Sequence, residues 1–204
     1  MNEAAFSDGV GSDVHANALH ECQQTTAFTC VDCAAVSALS YFQDVLPAEL
    51  WDQSEKTMAY LLGTVAPAPG DAVDATDGTT AADLLHGLMA LLSGTPVLAA
   101  LVPEVSIAMA YAGAVAIAII PARRHAVCAF GLGLSGPTGS VRVHDPDPAQ
   151  PATANRDLAW MRDNFDGLCV TLTRLPAGVL APVWPPPRAA YPAGIIRKTN
   201  GKGG

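Results

Sequence analysis

Apolar positions along this chain follow two rhythms in succession, helical at first and alternating later. Over residues 30–43 (CVDCAAVSALSYFQ), Val36, Leu39, Tyr41 and Phe42 supply apolar faces, while Ala34, Ala35, Ser37 and Ala38 keep the rest of the surface small. This predicts a helix packed closely on all sides, with Thr29 as its N-cap and Asp32 in its first turn. A short helical stretch follows over 48–62, behind Pro47, and then a Pro/Gly/Asp-rich loop, APAPGDAVDATDG. Thr80 with Asp83 has the form of a capping box, and Leu84, Leu88, Leu91 and Leu92 make one stripe of the helix behind it. His86 falls off that stripe and reads as a surface residue.

From residue 114 the period drops from 3.6 to 2. Strands are predicted over 114–120, 125–131, 140–144 and 168–174, with residues 121–124 as a turn and the Gly-rich LGLSGPTG as a hairpin connection. Residues 157–164 read as a short helix. Residues 21–29 (ECQQTTAFT) lack periodicity and read as a loop. Residues 1–20 read as a flexible N-terminal arm, and residues 176–204, with Pro185, Pro186 and Pro187, as a Pro-rich C-terminal tail. Helices first and antiparallel strands second predict an α+β fold, with N-terminal helices packed on a C-terminal antiparallel β-sheet.

Composition narrows the function classes. The 204 residues predict one domain. Half of them are hydrophobic and 15% are charged, which excludes a disordered chain. Eleven Lys and Arg against nineteen Asp and Glu give a net charge of −8. No basic face can be assembled from that set, so binding nucleic acid through phosphates is excluded. The longest apolar run, residues 105–120, falls short of the roughly 18–20 residues that span a bilayer. It reads as core helix plus core strand, and no membrane partner is expected. Five cysteines are an odd number, and MNEAAFSDGV has neither a basic nor an apolar signal region. A reducing, cytoplasmic compartment is the expectation.

The chemistry starts at Gln24, five residues and Cys30, running into a helix. A thiol at a helix N-terminus feels the positive end of the macrodipole, which favours thiolate. A nucleophilic cysteine also needs a base and a group that orients the base. Among the five histidines, His125 opens a strongly apolar strand (HAVCAF) beside a turn. Asp145 ends the next strand (VRVHDP). If the two strands pair as a hairpin, the start of one lies beside the end of the other, and Asp145 comes next to His125. Gln24 is then the candidate to donate its side-chain amide to an oxyanion, together with the Cys30 N–H.

These residues resemble the C39-like papain-fold cysteine peptidases, which include the bacteriocin-leader peptidases acting after Gly-Gly. The shared features are Gln24…Cys30, the small-residue helix ending at Tyr41–Phe42, and Gly113-AVAIAII before His125-AVCAFG. The strand ending at Asp145-Pro146 and the closing LAWMRDNFDGLCVTLTR complete the set. The resemblance covers residues 21–175. It implies a papain-like catalytic domain with Cys30 as nucleophile, His125 as base and later acid, Asp145 as orienter and Gln24 as oxyanion donor. It also implies a peptide or amide substrate with a small, Gly-rich sequence, and no cofactor or metal. Thr29 and Val31 flank Cys30 where the family often has an acidic residue and Gly, and Cys33 stands where it has a small residue such as Ala.

Other readings compete. Cys30-x-x-Cys33 fits a redox pair at a helix start, although ECQQTTAFT makes a poor preceding strand. Zinc would need four ligands, drawing on Cys22 or His20, and no second C-x-x-C exists. Cys33, Cys128 and Cys169 read as buried small hydrophobes and Cys22 as an incidental loop thiol. His125 has the plain reading of a satisfied core histidine. By strand alternation His144 points away from Asp145 and reads as a decoy. Asp147 and Gln23 are the alternates to Asp145 and Gln24. The proline triplet also fits a polyproline ligand. Gly203-Gly204 matches the product side of a double-glycine cleavage, which would let the tail visit an active site. The same triad serves an acyltransferase that resolves the thioester with an amine, and the same cleft serves a non-catalytic peptide binder.

Overall fold

The computed structural model describes residues 6–7, 21–25, 29–67, 73–75, 79–102, 114–120, 125–133, 140–164 and 169–184. At its centre is α1 (Cys30–Ser40), of which every residue is buried. Its run of Ala, Ser and Cys lets neighbours approach from all sides, and a larger residue would need space that a packed interior lacks. Burying Leu39 and Phe42 contributes roughly 1.5–3 kcal/mol each. The helix stops at Ser40. The chain then tightens into turns, with Phe42 N–H on Leu39 O at 3.0 Å, and the Tyr41 and Phe42 rings meet edge to face at 5.1 Å.

The stretch predicted as one helix over 48–62 is two, α2 (Ala48–Trp51) and α3 (Glu55–Leu61). The break has a local cause: Ser54 takes extended backbone and accepts the Thr57 N–H at 3.1 Å, capping a new helix. The Pro/Gly/Asp-rich segment predicted as loop contains a small hairpin, β3 (Val65–Pro67) with β4 (Val73–Ala75). α4 (Ala81–Leu91) starts with the predicted Thr80–Asp83 capping box.

Six strands form one antiparallel sheet in the order β5 (Val97–Val102), β10 (Cys169–Arg174), β6 (Ala114–Ile120), β7 (His125–Gly133), β8 (Ser140–His144) and β9 (Thr153–Asp157). Period 2 divides its apolar residues between two cores. Val115, Ile117, Ala126, Cys128, Phe130, Val170 and Leu172 join α1 in the larger one. Ala116, Ala118, Val127, Ala129, Val141 and Val143 form the smaller one, with Trp160 of α5 (Leu158–Asn164) against it. α1 lies on β6 and β7 with α3 beside it, and α4 lies on β5 and β10. The mixed architecture of helices and an antiparallel sheet agrees with the sequence expectation.

Two strands of the sheet were not anticipated. β5 (VLAALV) lacks alternation, and β9 (TANRD) is a polar edge strand with one solvated face. The segment read as loop also holds β2 (Glu21–Cys22), paired with β1 (Phe6–Ser7) inside the stretch read as an arm. Cys22 is therefore fully buried core, not a loop thiol. Beyond β10, residues 175–184 run along the turn after α4, with Leu175 N–H on Pro96 O at 2.8 Å and Ala181 N–H on Thr95 O at 2.8 Å. The rest of the arm, residues 103–113, the 121–124 turn, the 134–139 connection, the proline triplet and the terminal Gly-Gly lie outside the described residues. Among the described residues no helix is long and apolar enough to cross a membrane.

Candidate active site

Cys30 is the first residue of α1, and the Cys33 N–H closes the first helical turn on Thr29 O at 3.0 Å. The thiol therefore sits at the positive end of the helix dipole. Cys30 keeps 6% of its surface exposed, whereas Cys22, Cys33 and Cys128 are wholly buried. Thr29 occupies the N-cap position, but its hydroxyl does not cap: it goes to the Glu55 carboxylate of α3 instead.

The register of β7 and β8 pairs Cys128 with His144, so the start of β7 lies beside the chain leaving β8. That brings His125 Nε2 to 2.6 Å from Asp145 Oδ1, both side chains about one-seventh exposed. The same imidazole is hydrogen-bonded with the Cys30 thiol. The hairpin and the buried helix thus deliver three residues, spread over more than half the chain, to one place.

Electrostatics divides the roles. Burial works against a charged His125, but hydrogen bonds with Asp145 and then Cys30, and the charges behind them, outweigh it and raise the pKa to about 9. Burial likewise opposes the Asp145 charge, yet the His125 bond and the Asp147 N–H, at 3.0 Å, hold the carboxyl below its usual range. At neutral pH the pair is imidazolium and carboxylate.

Gln24 is tied to the same corner through its backbone. Its backbone N–H donates to Pro146 O at 2.9 Å, which fastens the segment before Cys30 to the corner that carries Asp145. Gln24 is half-buried, whereas Gln23 is exposed. Asp147 caps its own turn, accepting the Ala149 N–H at 2.9 Å, and does not take the place of Asp145.

The remaining candidates separate from this group. His144 is completely buried, with Nδ1 2.7 Å from Ala152 O and Nε2 2.9 Å from Cys22 O. Burial lowers its pKa despite those two acceptors. Cys33 hydrogen-bonds with Cys22, and that bond and then burial push its thiol pKa strongly up. It is a core thiol rather than a redox partner of Cys30. Among the described residues no three His, Cys, Asp or Glu side chains are grouped to hold a metal ion; His20 lies outside them.

At the foot of α1, Asp32 does more than the first-turn role the sequence predicts, and Glu55 has no role the sequence predicts. Asp32 is fully buried and takes the Thr64 hydroxyl on Oδ1 at 2.7 Å; burial, with Glu55 nearby, pushes its carboxyl up to about 8. Glu55 is 3% exposed and accepts from both Thr25 and Thr29. Nothing in the local pattern marks Glu55, because its partners lie about a helix and a half earlier in the chain.

Among solved structures, the chain is similar to a crystal structure of a double glycine motif protease from an AMS/PCAT transporter in complex with the leader peptide. The TM-score is 0.50 and the identity 12%, covering 85% of this chain and 99% of that one. At this identity the likeness is one of fold. No protein-family model matches the sequence, and no curated protein does.

Proposed function

We propose that the chain is a cysteine peptidase or related amide hydrolase, with Cys30 as nucleophile, His125 as acid and base, Asp145 as orienter and Gln24 as oxyanion donor. The observation that carries this reading is a single imidazole bonded to Asp145 at 2.6 Å and also held in its charged form by interaction with a helix-start thiol. The likeness of fold to a double glycine motif protease supports the reaction class.

In this mechanism the Cys30 sulfur, as thiolate, attacks the carbonyl carbon of the scissile amide. The oxyanion is held by the Gln24 side-chain amide and the Cys30 N–H, donors fixed in place before the reaction. As the C–N bond breaks, His125 gives its proton to the departing amine, leaving a thioester on Cys30. His125, now neutral, takes a proton from water as the water attacks. The C–S bond breaks, the acid product leaves, and thiolate and imidazolium are restored. Asp145 keeps the ring in one orientation throughout. The substrate we assign is a peptide with a small, Gly-rich sequence ahead of the scissile bond; the similar solved protease holds a leader peptide.

The test is turnover of a peptide carrying a Gly-Gly site, followed by product mass. Wild type should release the Gly-Gly acid, with no adduct when an amine is added, and Cys30→Ala should release none. Equal turnover by Cys30→Ala would overturn the reading.

A further inference from the structure

The segment from Gln24 to Cys30 carries two parts of the proposed machinery, the oxyanion donor at one end and the thiol at the other. Their separation is set by whatever grips the segment between them. Three donors from it converge on one carboxylate of a different element. The Thr25 N–H reaches Glu55 Oε1 at 2.8 Å and the Thr25 hydroxyl reaches Oε2 at 2.6 Å. The Thr29 hydroxyl also donates to Oε1. Glu55 stands in the first turn of α3, which packs against α1, and is 3% exposed. A buried carboxylate with both oxygens bonded is a rigid anchor, and charge-assisted bonds are the strong ones. Thr29 sits at the N-cap position without making the capping bond and supplies one of the three instead, so a local helix rule is broken in favour of this contact. On the far side, the Gln24 N–H bond to Pro146 ties the same segment to the Asp145 corner.

We propose that Glu55 is a positioning residue which clamps Thr25 and Thr29 and so fixes the distance between the Gln24 oxyanion donor and the Cys30 thiol. The inference rests on the peptidase reading above. Glu55 does not touch the reacting atoms; it holds the two groups that do.

The test compares Glu55→Gln, Glu55→Ala and Thr29→Val with wild type, reading kcat and KM on the Gly-Gly peptide and the iodoacetamide rate of Cys30. Hydrolysis needs the oxyanion donor and the thiol in register, whereas alkylation needs only the thiol and His125. Misplacement by about 1 Å is enough to cost up to ~10²-fold in rate. We therefore expect Glu55→Ala to lose about 10- to 100-fold in kcat, with KM and the Cys30 alkylation rate within about threefold of wild type. Glu55→Gln, which keeps one acceptor oxygen, should retain more kcat than Glu55→Ala. Thr29→Val preserves shape and charge, so it decides the matter should Glu55→Ala fail to fold; its kcat should also fall with alkylation unchanged. Wild-type kcat in both Glu55→Gln and Thr29→Val, or kcat and alkylation falling together in Thr29→Val, would overturn the clamp while leaving the peptidase reading standing. Wild type without Cys30-dependent turnover would overturn the reading, and the clamp with it.

Discussion

Two histidines flank Asp145, one at each side of the β7–β8 hairpin, and the fold treats them oppositely. His125 is partly exposed and meets a carboxylate and a thiol, and its pKa rises to about 9. His144 is fully buried between two backbone carbonyls, and its pKa falls. Burial pushes both downward. The difference lies in the direct partners: side-chain bonds to Asp145 and Cys30 outweigh desolvation at His125, whereas at His144 two backbone carbonyls, with the Glu21 and Asp145 charges acting only through space, do not. A histidine between a thiol and a carboxylate is poised to carry a proton, whereas one between two carbonyls fastens β2 to the turn before β9. The contrast gives a way to tell an acid–base histidine from a structural one without knowing the substrate.

The largest effect should come from His125→Ala. Removing a general acid–base group costs about 10²–10⁴-fold in rate, a loss of activity out of proportion to the stability that the paired imidazolium contributes. His144→Leu should do the reverse. A neutral imidazole has one N–H, so the change leaves one buried carbonyl without its donor, at about 1–3 kcal/mol, and unfolding should come at lower denaturant while Cys30 stays reactive in the folded protein. A His144 variant that folds normally yet loses activity as His125→Ala does would break the comparison.

The pH dependence of stability sharpens it further. A raised histidine pKa means the folded state binds more protons than the unfolded state. The His125 contribution is therefore full below about pH 6.5 and is lost as pH rises through about 9. The His144 pKa is lowered, so its contribution is present above about pH 6.5 and is lost as pH falls below it. Denaturant titrations across pH should show an alkaline loss that vanishes in His125→Ala and an acid loss that shrinks in His144→Gln. In Asp145→Asn burial still opposes the imidazolium while its chief partner is gone. The alkaline limb of Cys30-dependent activity should then move from about 9 toward the ordinary histidine value.

A further effect concerns the foot of α1. Asp32 has a raised carboxyl pKa of about 8, so the stability tied to its proton is full below the ordinary carboxylate range and is lost as pH climbs through 8. Asp32→Asn keeps the Thr64 bond without the charge. It should raise the melting temperature at pH 9 relative to wild type and change it little at pH 5. An equal change at both values would contradict the assignment.

How much of this was legible in the sequence follows from what kind of pattern each part makes. α1, the Thr80 capping box and the strands carrying His125 and Asp145 advertise themselves through local periodicity and caps. The meeting of His125 with Asp145 followed from two short strands and an assumed hairpin, which the Cys128–His144 register supplies. β9 stayed hidden because an edge strand with charged residues resembles a loop, and β2 because two residues make no period. Glu55 stayed hidden because its contacts, at sequence separations of 26 and 30, belong to tertiary structure. Thr29 misled for the same reason: its cap position is correct and its hydroxyl goes elsewhere.

The central claim is that Cys30 is paired with the His125 imidazolium. The most direct measurement is site-mapped alkylation of the native protein with limiting iodoacetamide at about pH 6, where an ordinary thiol is almost wholly protonated. The account predicts that Cys30 is modified first among the five cysteines, and that its rate collapses in His125→Ala but not in His144→Gln. A Cys30 that reacts no faster in wild type than in His125→Ala would contradict it.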